Sequence, residues 1–129
     1  MPDPNVVDSS GWLEYFADGP QAERFAEPLR DPDRLIVPSL SIFEVFKRVL
    51  QQRDETAALQ AAALMQQGRV VDLDAVITLS AAKLSVDLKL PMADSVMLAT
   101  ARRFAATLWT QDADFAGLPD VRYFPRARS

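Results

Sequence analysis

Four acidic residues, far apart in a chain of 129, stand where apolar segments end or helices begin: Asp8, Glu44, Asp94 and Asp112. Asp114 follows two positions after the last, in "TLWTQDADF". Carboxylate oxygens are hard donors, so a set of them that converges would hold Mg²⁺ or Mn²⁺ rather than a thiophilic metal. The composition narrows the chemistry further, because the chain has no histidine and no cysteine. That excludes Ser-His-Asp triads, histidine general bases, thiolate nucleophiles, disulfides and the usual zinc sites. Catalysis by this chain must rest on Asp, Glu, Ser, Thr, Tyr, Lys or Arg, and a divalent cation is the natural activator of an attacking water.

The elements that must position these acids can be read from periodicity. Residues 5–8, "NVVD", form a short apolar strand ending in an acid. "SSGWLEYFADGP" follows as a helix, with Ser9 or Ser10 as N-cap and Gly19-Pro20 as its close, and "QAERFAEPLR" is a short second helix. "RLIVPS" (34–39) reads as a buried strand. The clearest helix is 39–53, with Ile42, Val45, Phe46, Val49 and Leu50 at i, i+3, i+4, i+7 and i+8. An Ala-rich helix over 54–68 is capped by Asp54 and stopped by Gly68. "RVVDL" is a third strand, 74–90 a helix starting at Asp74, and "MADSVMLATARRFAA" another helix. "TLWT" is a fourth strand and "VRYF" (121–124) a fifth. Strands alternating with helices or helix pairs require crossover connections. The expected fold is therefore α/β, a three-layer αβα sandwich around a mainly parallel sheet of four to five strands, with residues 1–129 as a single domain.

In open parallel sheets ligands bind beyond the carboxyl ends of the strands. Asp8 ends the first strand, Asp112 and Asp114 follow the fourth, Glu44 lies a turn into the helix after the second, and Asp94 opens a helix. Each has a plain structural reading too. Asp8 can cap a helix, Glu44 can be a solvated helix acid, Asp94 can complement the macrodipole, and Asp112 and Asp114 can be turn formers. Collectively they are harder to dismiss. Two carboxylates ~6 Å apart at an effective dielectric of about 20 repel by roughly 3 kcal/mol. Four of them make a repulsion on the order of 15 kcal/mol, comparable with the whole ~5–15 kcal/mol stability of a domain. Converging acids must be partly protonated, spread apart, or holding a cation. Asp72 and Asp74 repeat the D-x-D spacing, but a helical pattern follows at once, and Asp74 reads as an N-cap.

The ordered set "NVVDSSGWLEYF", "VPSLSIFEVFKRV", "LPMADSVMLATA" and "TLWTQDADF" resembles the PIN-domain ribonucleases, and within them the VapC toxins of bacterial VapBC toxin–antitoxin pairs. The likeness spans essentially the whole chain. It implies a Mg²⁺- or Mn²⁺-dependent endoribonuclease that leaves a 5′-phosphate and a 3′-hydroxyl. It implies Asp8, Glu44, Asp94 and Asp112 as the catalytic acids, with Asp8, Asp94, Asp112 and Asp114 as the metal ligand set and Asp114 supporting or alternative. Ser10 and Thr110 match small polar positions beside the site, and Ser9 is a further hydroxyl there. The resemblance also implies an RNA substrate, a groove for a cognate antitoxin near Trp12, Tyr15, Phe16, Phe43 and Phe46, and a homodimer formed through other helices. The same five aromatics read equally well as core.

Partners are otherwise lightly marked. The net charge of −4 disfavours a broad basic face for nucleic acid but permits a basic rim, and eleven of the fourteen cationic residues are Arg. Arg102, Arg103, Arg122, Arg126 and Arg128 are candidates for phosphate contacts, or plain solubilising charge. No apolar run is long enough to span a bilayer and the N-terminus is not a signal peptide, so a cytoplasmic protein without a membrane partner is expected. Two rivals fit less well. A Mg²⁺-binding receiver-like phosphoacceptor domain wants an acid pair after strand one and a Lys after the last strand, yet "VVDSS" has one acid and no Lys follows residue 89. A catalytically silent protein-binding domain leaves the four acids without a role.

Overall fold

Val6-Val7, Leu35–Val37 and Leu108-Trp109 are continuous apolar runs, the pattern of strands covered on both faces. A computed structural model describes residues 3–126 and places these runs in the middle of a fully parallel five-stranded sheet. Its strands are β1 (Asn5–Val7), β2 (Leu35–Pro38), β3 (Arg69–Val71), β4 (Thr107–Thr110) and β5 (Val121–Tyr123), in the order β3-β2-β1-β4-β5. Asn5 is in register with Leu35 on one side and Thr107 on the other. The chain order therefore reverses between β1 and β4, and that switch point opens a crevice beyond their carboxyl ends.

Six helices cover the sheet: α1 (Ser9–Phe16), α2 (Ala22–Leu29), α3 (Ser39–Gln52), α4 (Glu55–Met65), α5 (Ala75–Leu88) and α6 (Met92–Arg103). Period-two alternation divides the strand side chains between two cores. Val7, Leu35, Val37 and Trp109 pack with Trp12, Phe25, Val45, Val49 and Met65 from the first four helices. Val6, Ile36 and Leu108 face the other way, against Met97, Leu98 and Ala101 of α6. The architecture is the expected αβα sandwich, all parallel rather than mainly so. Asp54 and Asp74 cap α4 and α5, accepting from the Ala57 and Ile77 amides at 2.8 Å.

Three details differ from the reading of the sequence. Asp8, not Ser9 or Ser10, is the N-cap of α1. Leu50 is exposed, because α3 turns Val45 and Val49 inward and carries Leu50 past the edge of the buried stripe. Helix α4 ends at Met65, short of Gly68, which lies where the chain passes close to the Leu35 carbonyl.

Gly11 fixes how closely α1 sits on the sheet. A Cβ there would lie 2.6 Å from Val7 Cγ1 and 2.7 Å from the Phe25 ring. Gly11→Ala should cost about 1–3 kcal/mol by overpacking. The check is a lower denaturant midpoint at unchanged m-value; an unaltered midpoint would show that α1 can move away freely.

Candidate metal centre

Asp8 leaves β1 and turns into α1, so its backbone ends a strand while its side chain begins a helix. Its Oδ1 accepts from the Ser10 hydroxyl at 2.6 Å and the Gly11 amide at 3.2 Å. Its Oδ2 accepts from the Thr110 hydroxyl at 2.9 Å, across the switch point. The cap reading and the site reading of Asp8 are thus the same geometry. Thr110 Oγ1 also accepts from the Asp112 amide at 2.9 Å, and Asp112 Oδ1 in turn caps the short 3₁₀ turn Ala113–Phe115 by accepting from the Asp114 amide. One hydroxyl therefore ties the acid after β1 to the acid after β4. Gln111 is buried beside them, with its amide groups directed at Ser10.

Asp94 approaches from the first turn of α6. One carboxylate oxygen each from Asp8, Asp94 and Asp112 lies within 4.8 Å of the other two. Among the described residues no Lys or Arg forms an ion pair with any of them. The electrostatic strain is visible in their proton affinities. Burial pushes Asp8 up to about 6, against the opposing hydrogen bonds from Ser10, Thr110 and Gly11. Asp94 is pushed up to about 8, first by burial, then by Asp112, by a hydrogen bond with the Asp114 side chain, and by Asp8. Three convergent oxygen donors without a counter-cation match the preference of Mg²⁺ or Mn²⁺, so the donor set fits the ion that the residue types suggest.

The acids open into a cleft of ≈ 400 Å³. Glu44 reaches it from α3 and accepts from the Ser9 hydroxyl at 2.6 Å, outside the convergent trio. Asp114 is exposed and also outside the trio, although its side chain neighbours Asp94. Arg48 and Arg126 line the same cleft. Arg48 escaped the reading of the sequence, although it stands one helical turn after Glu44, the spacing that puts two side chains on one face.

The other arginines lie elsewhere. Arg102 and Arg103 are at the far end of α6, roughly 12 Å along the helix from Asp94, in a hollow against α5. Arg122 stacks on Trp109, 4.3 Å from its ring, in a separate pocket. Arg128 falls outside the described residues. Nor do the five aromatics form one groove. Trp12 is in the core, Tyr15, Phe16 and Phe46 pack partly buried against it, and Phe43 is 60% exposed with Lys47 over its ring. Helix α1 has its Trp12 face on the sheet, so that ring cannot also line a surface. An apolar hollow of ≈ 260 Å³ does lie beside the cleft, lined by Leu13, Phe16, Val49, Ala57, Ala61 and Leu64.

These features define a class: small parallel α/β domains with an acid-lined crevice at the switch point of the sheet. The PIN domain profile matches residues 6–121, and the chain belongs to the PIN-domain family. No curated protein matches it. Solved structures do, at low identity. A toxin–antitoxin complex from Klebsiella pneumoniae superposes with a TM-score of 0.79 at 21% identity, covering 95% of this chain and 99% of that one. The Mycobacterium tuberculosis VapC20, a sarcin–ricin-loop-cleaving toxin, has a TM-score of 0.73 at 18% identity, over 88% and 94% of the two chains. VapBC2 from Rickettsia felis, solved with a promoter DNA fragment, gives 0.72 at 14%, over 94% and 97%. At these identities the likeness carries the fold. No helix among the described residues is long and apolar enough to cross a membrane.

Proposed function

We propose that this chain is a metal-dependent endoribonuclease, the toxin of a type II toxin–antitoxin pair, hydrolysing RNA phosphodiesters. The observation that carries the reading is the convergence of Asp8, Asp94 and Asp112 on one point, with no Lys or Arg among the described residues in an ion pair with them. Those three would hold a Mg²⁺ or Mn²⁺. The bound cation supplies Lewis acidity toward the phosphoryl oxygens and makes water a competent nucleophile near neutral pH. The protein's own part is to hold the acids still: Ser10, Thr110 and the Gly11 amide clamp Asp8, and the Asp114 amide clamps Asp112. Glu44, oriented by Ser9, is a carboxylate of the cleft outside the trio and would take the proton of the attacking water.

Two further surfaces suit the partners. The hollow beside the cleft shares Leu13, Ala17 and Gln52 with it, so an antitoxin segment seated there would also block the acids. On α5, Val76, Leu79 and Val86 are exposed, and they supply an apolar face for a second copy of the chain. The direct test is incubation of the purified protein with a mixed pool of structured RNAs, with Mg²⁺ or Mn²⁺ and then with EDTA. Cleavage that requires the cation is expected; a folded protein that binds neither cation nor RNA would end the proposal.

The clamp makes its own prediction. Thr110→Val keeps the shape but removes the donor to Asp8 and the acceptor for the Asp112 amide. Partners that orient a ligand typically contribute about 10–100-fold to metal affinity. Mn²⁺ titration calorimetry should show a loss in that range, and unaltered affinity would mean that Thr110 only packs.

A further inference from the structure

The cleft presents an electrostatic problem that the acids alone cannot solve. An RNA strand brings one negative charge per nucleotide to a cleft lined by Asp8, Glu14, Glu44, Asp94 and Asp112. A single cation offsets the charge at the reacting phosphate, and the flanking phosphates still need partners. Among the residues lining the cleft, the cations are Arg48 and Arg126. Neither forms an ion pair with a carboxylate among the described residues.

The two arrive by different routes. Arg48 stands on rigid α3, one turn beyond Glu44. Arg126 lies past the end of β5, in a segment that would be free to wander were it not tied down at several points. The Phe124 amide donates to the Thr110 carbonyl at 2.9 Å, extending the ladder directly beside the acid site. The Phe124 ring packs edge-on against Phe25 with centroids 5.7 Å apart, and Arg24 lies over it. The buried Gln21 side-chain amide donates to the carbonyls of both Phe124 and Pro125. A buried glutamine spent on two successive carbonyls of a terminal segment fixes the course of the next residue, and that residue is Arg126.

From this we infer that Arg48 and Arg126 are the phosphate-gripping residues of the cleft, binding the RNA backbone on either side of the cleaved linkage, and that Gln21 is a positioning residue acting through Arg126. The inference rests on the ribonuclease reading and adds to it the residues that offset substrate repulsion. Guanidinium groups suit the task, since their fork matches phosphate oxygens in a two-point contact and they stay charged at every working pH.

The experiment is anisotropy of a short mixed-sequence single-stranded phosphorothioate RNA at fixed Mg²⁺, titrated across a range of KCl concentrations. Wild type, R48A, R126A, R126K, Q21A and Q21A/R126A would be compared. R48A and R126A should each weaken binding by about tenfold or more, as expected for loss of a charge-assisted contact. Each should also flatten the plot of log affinity against log salt by about 0.7, the value for one phosphate on a single strand. R126K should keep the wild-type slope. Q21A should weaken binding, yet add nothing in the R126A background. In cleavage assays the alanine variants should raise KM more than they lower kcat. If wild type binds and R48A and R126A keep its slope and affinity, the phosphate grip is wrong while the nuclease stands. If Q21A and R126A add independently, Gln21 does not act through Arg126. If wild type binds no RNA at all, the ribonuclease reading falls with it.

Discussion

Asp94→Asn should abolish metal-dependent RNA cleavage while making the metal-free protein more stable at alkaline pH. The substitution keeps the size and leaves at most a neutral amide oxygen in place of one of three convergent carboxylates. Groups that merely orient a ligand contribute about 10–100-fold, so loss of a direct ligand should cost at least about 100-fold in rate at fixed Mg²⁺. Stability should move the other way. The Asp94 carboxyl, half-buried and crowded by Asp112, Asp114 and Asp8, ionises only near pH 8, and its charge then opposes the metal-free fold. Activity and melting temperature measured on the same preparation check both halves. A variant that cleaves as well as wild type would remove Asp94 from the site, and one that melts lower would mean its carboxyl is structural rather than strained.

Mg²⁺ or Mn²⁺ should raise the melting temperature of the wild-type protein, and do so far more near pH 8 than near pH 5. The sign follows from which state holds its protons more tightly. Asp8 and Asp94 have folded-state values near 6 and 8, above the ordinary 3.8 of an aspartate in an unfolded chain. Between those limits the folded state binds more protons than the unfolded one, so stability falls as pH rises. For Asp8 the loss develops between about pH 4 and 6 and amounts to about 3 kcal/mol. Asp94 continues the decline toward pH 8, by less than its shift alone implies because solvent screens a half-exposed group. A divalent cation binds only the ionised carboxylates and only when they are gathered, so it reverses this loss where protons no longer compensate the repulsion. Melting curves at both pH values, with and without the cation and with Asp94→Asn as reference, provide the check. An equal effect of the cation at both pH values would place it away from these acids.

The two predictions pull against each other in a way common at functional sites. The same like-charge crowding that lowers the stability of the metal-free fold is the source of the proposed affinity for a cation, and the hydrogen bonds to Asp8 moderate that crowding without removing it. Thr110 is central because it serves both strands at the switch point, donating to Asp8 and accepting from the Asp112 amide.

Much of this was legible in the chain itself, and for a physical reason. Buried parallel strands and amphipathic helices impose short-range periodicities, so every strand and α-helix was readable to within a few residues. A parallel sheet also sends all its strand ends to one side. Acids at the ends of "NVVD" and "TLWTQD", and at the start of "MADS", were therefore placed on one rim by topology alone, and the absence of His and Cys restricted the donors to oxygen. What the sequence could not decide depends on how elements distant along the chain meet. Asp112 and Asp114 share one D-x-D, yet the 3₁₀ turn directs the first toward Asp8 and leaves the second exposed. Trp12 and Phe43 looked alike as helix aromatics, but the close seat of α1 at Gly11 buries one and the outward face of α3 exposes the other. Arg126 lay in a tail with no pattern to read, and contacts of the preceding residues with distant elements, the buried amide of Gln21 105 positions earlier and the Thr110 carbonyl among them, bring it into the cleft of the acids. Periodicity records which way a residue faces within its own element. Which residues then share a cleft is set by packing between elements, and only the tertiary structure holds that.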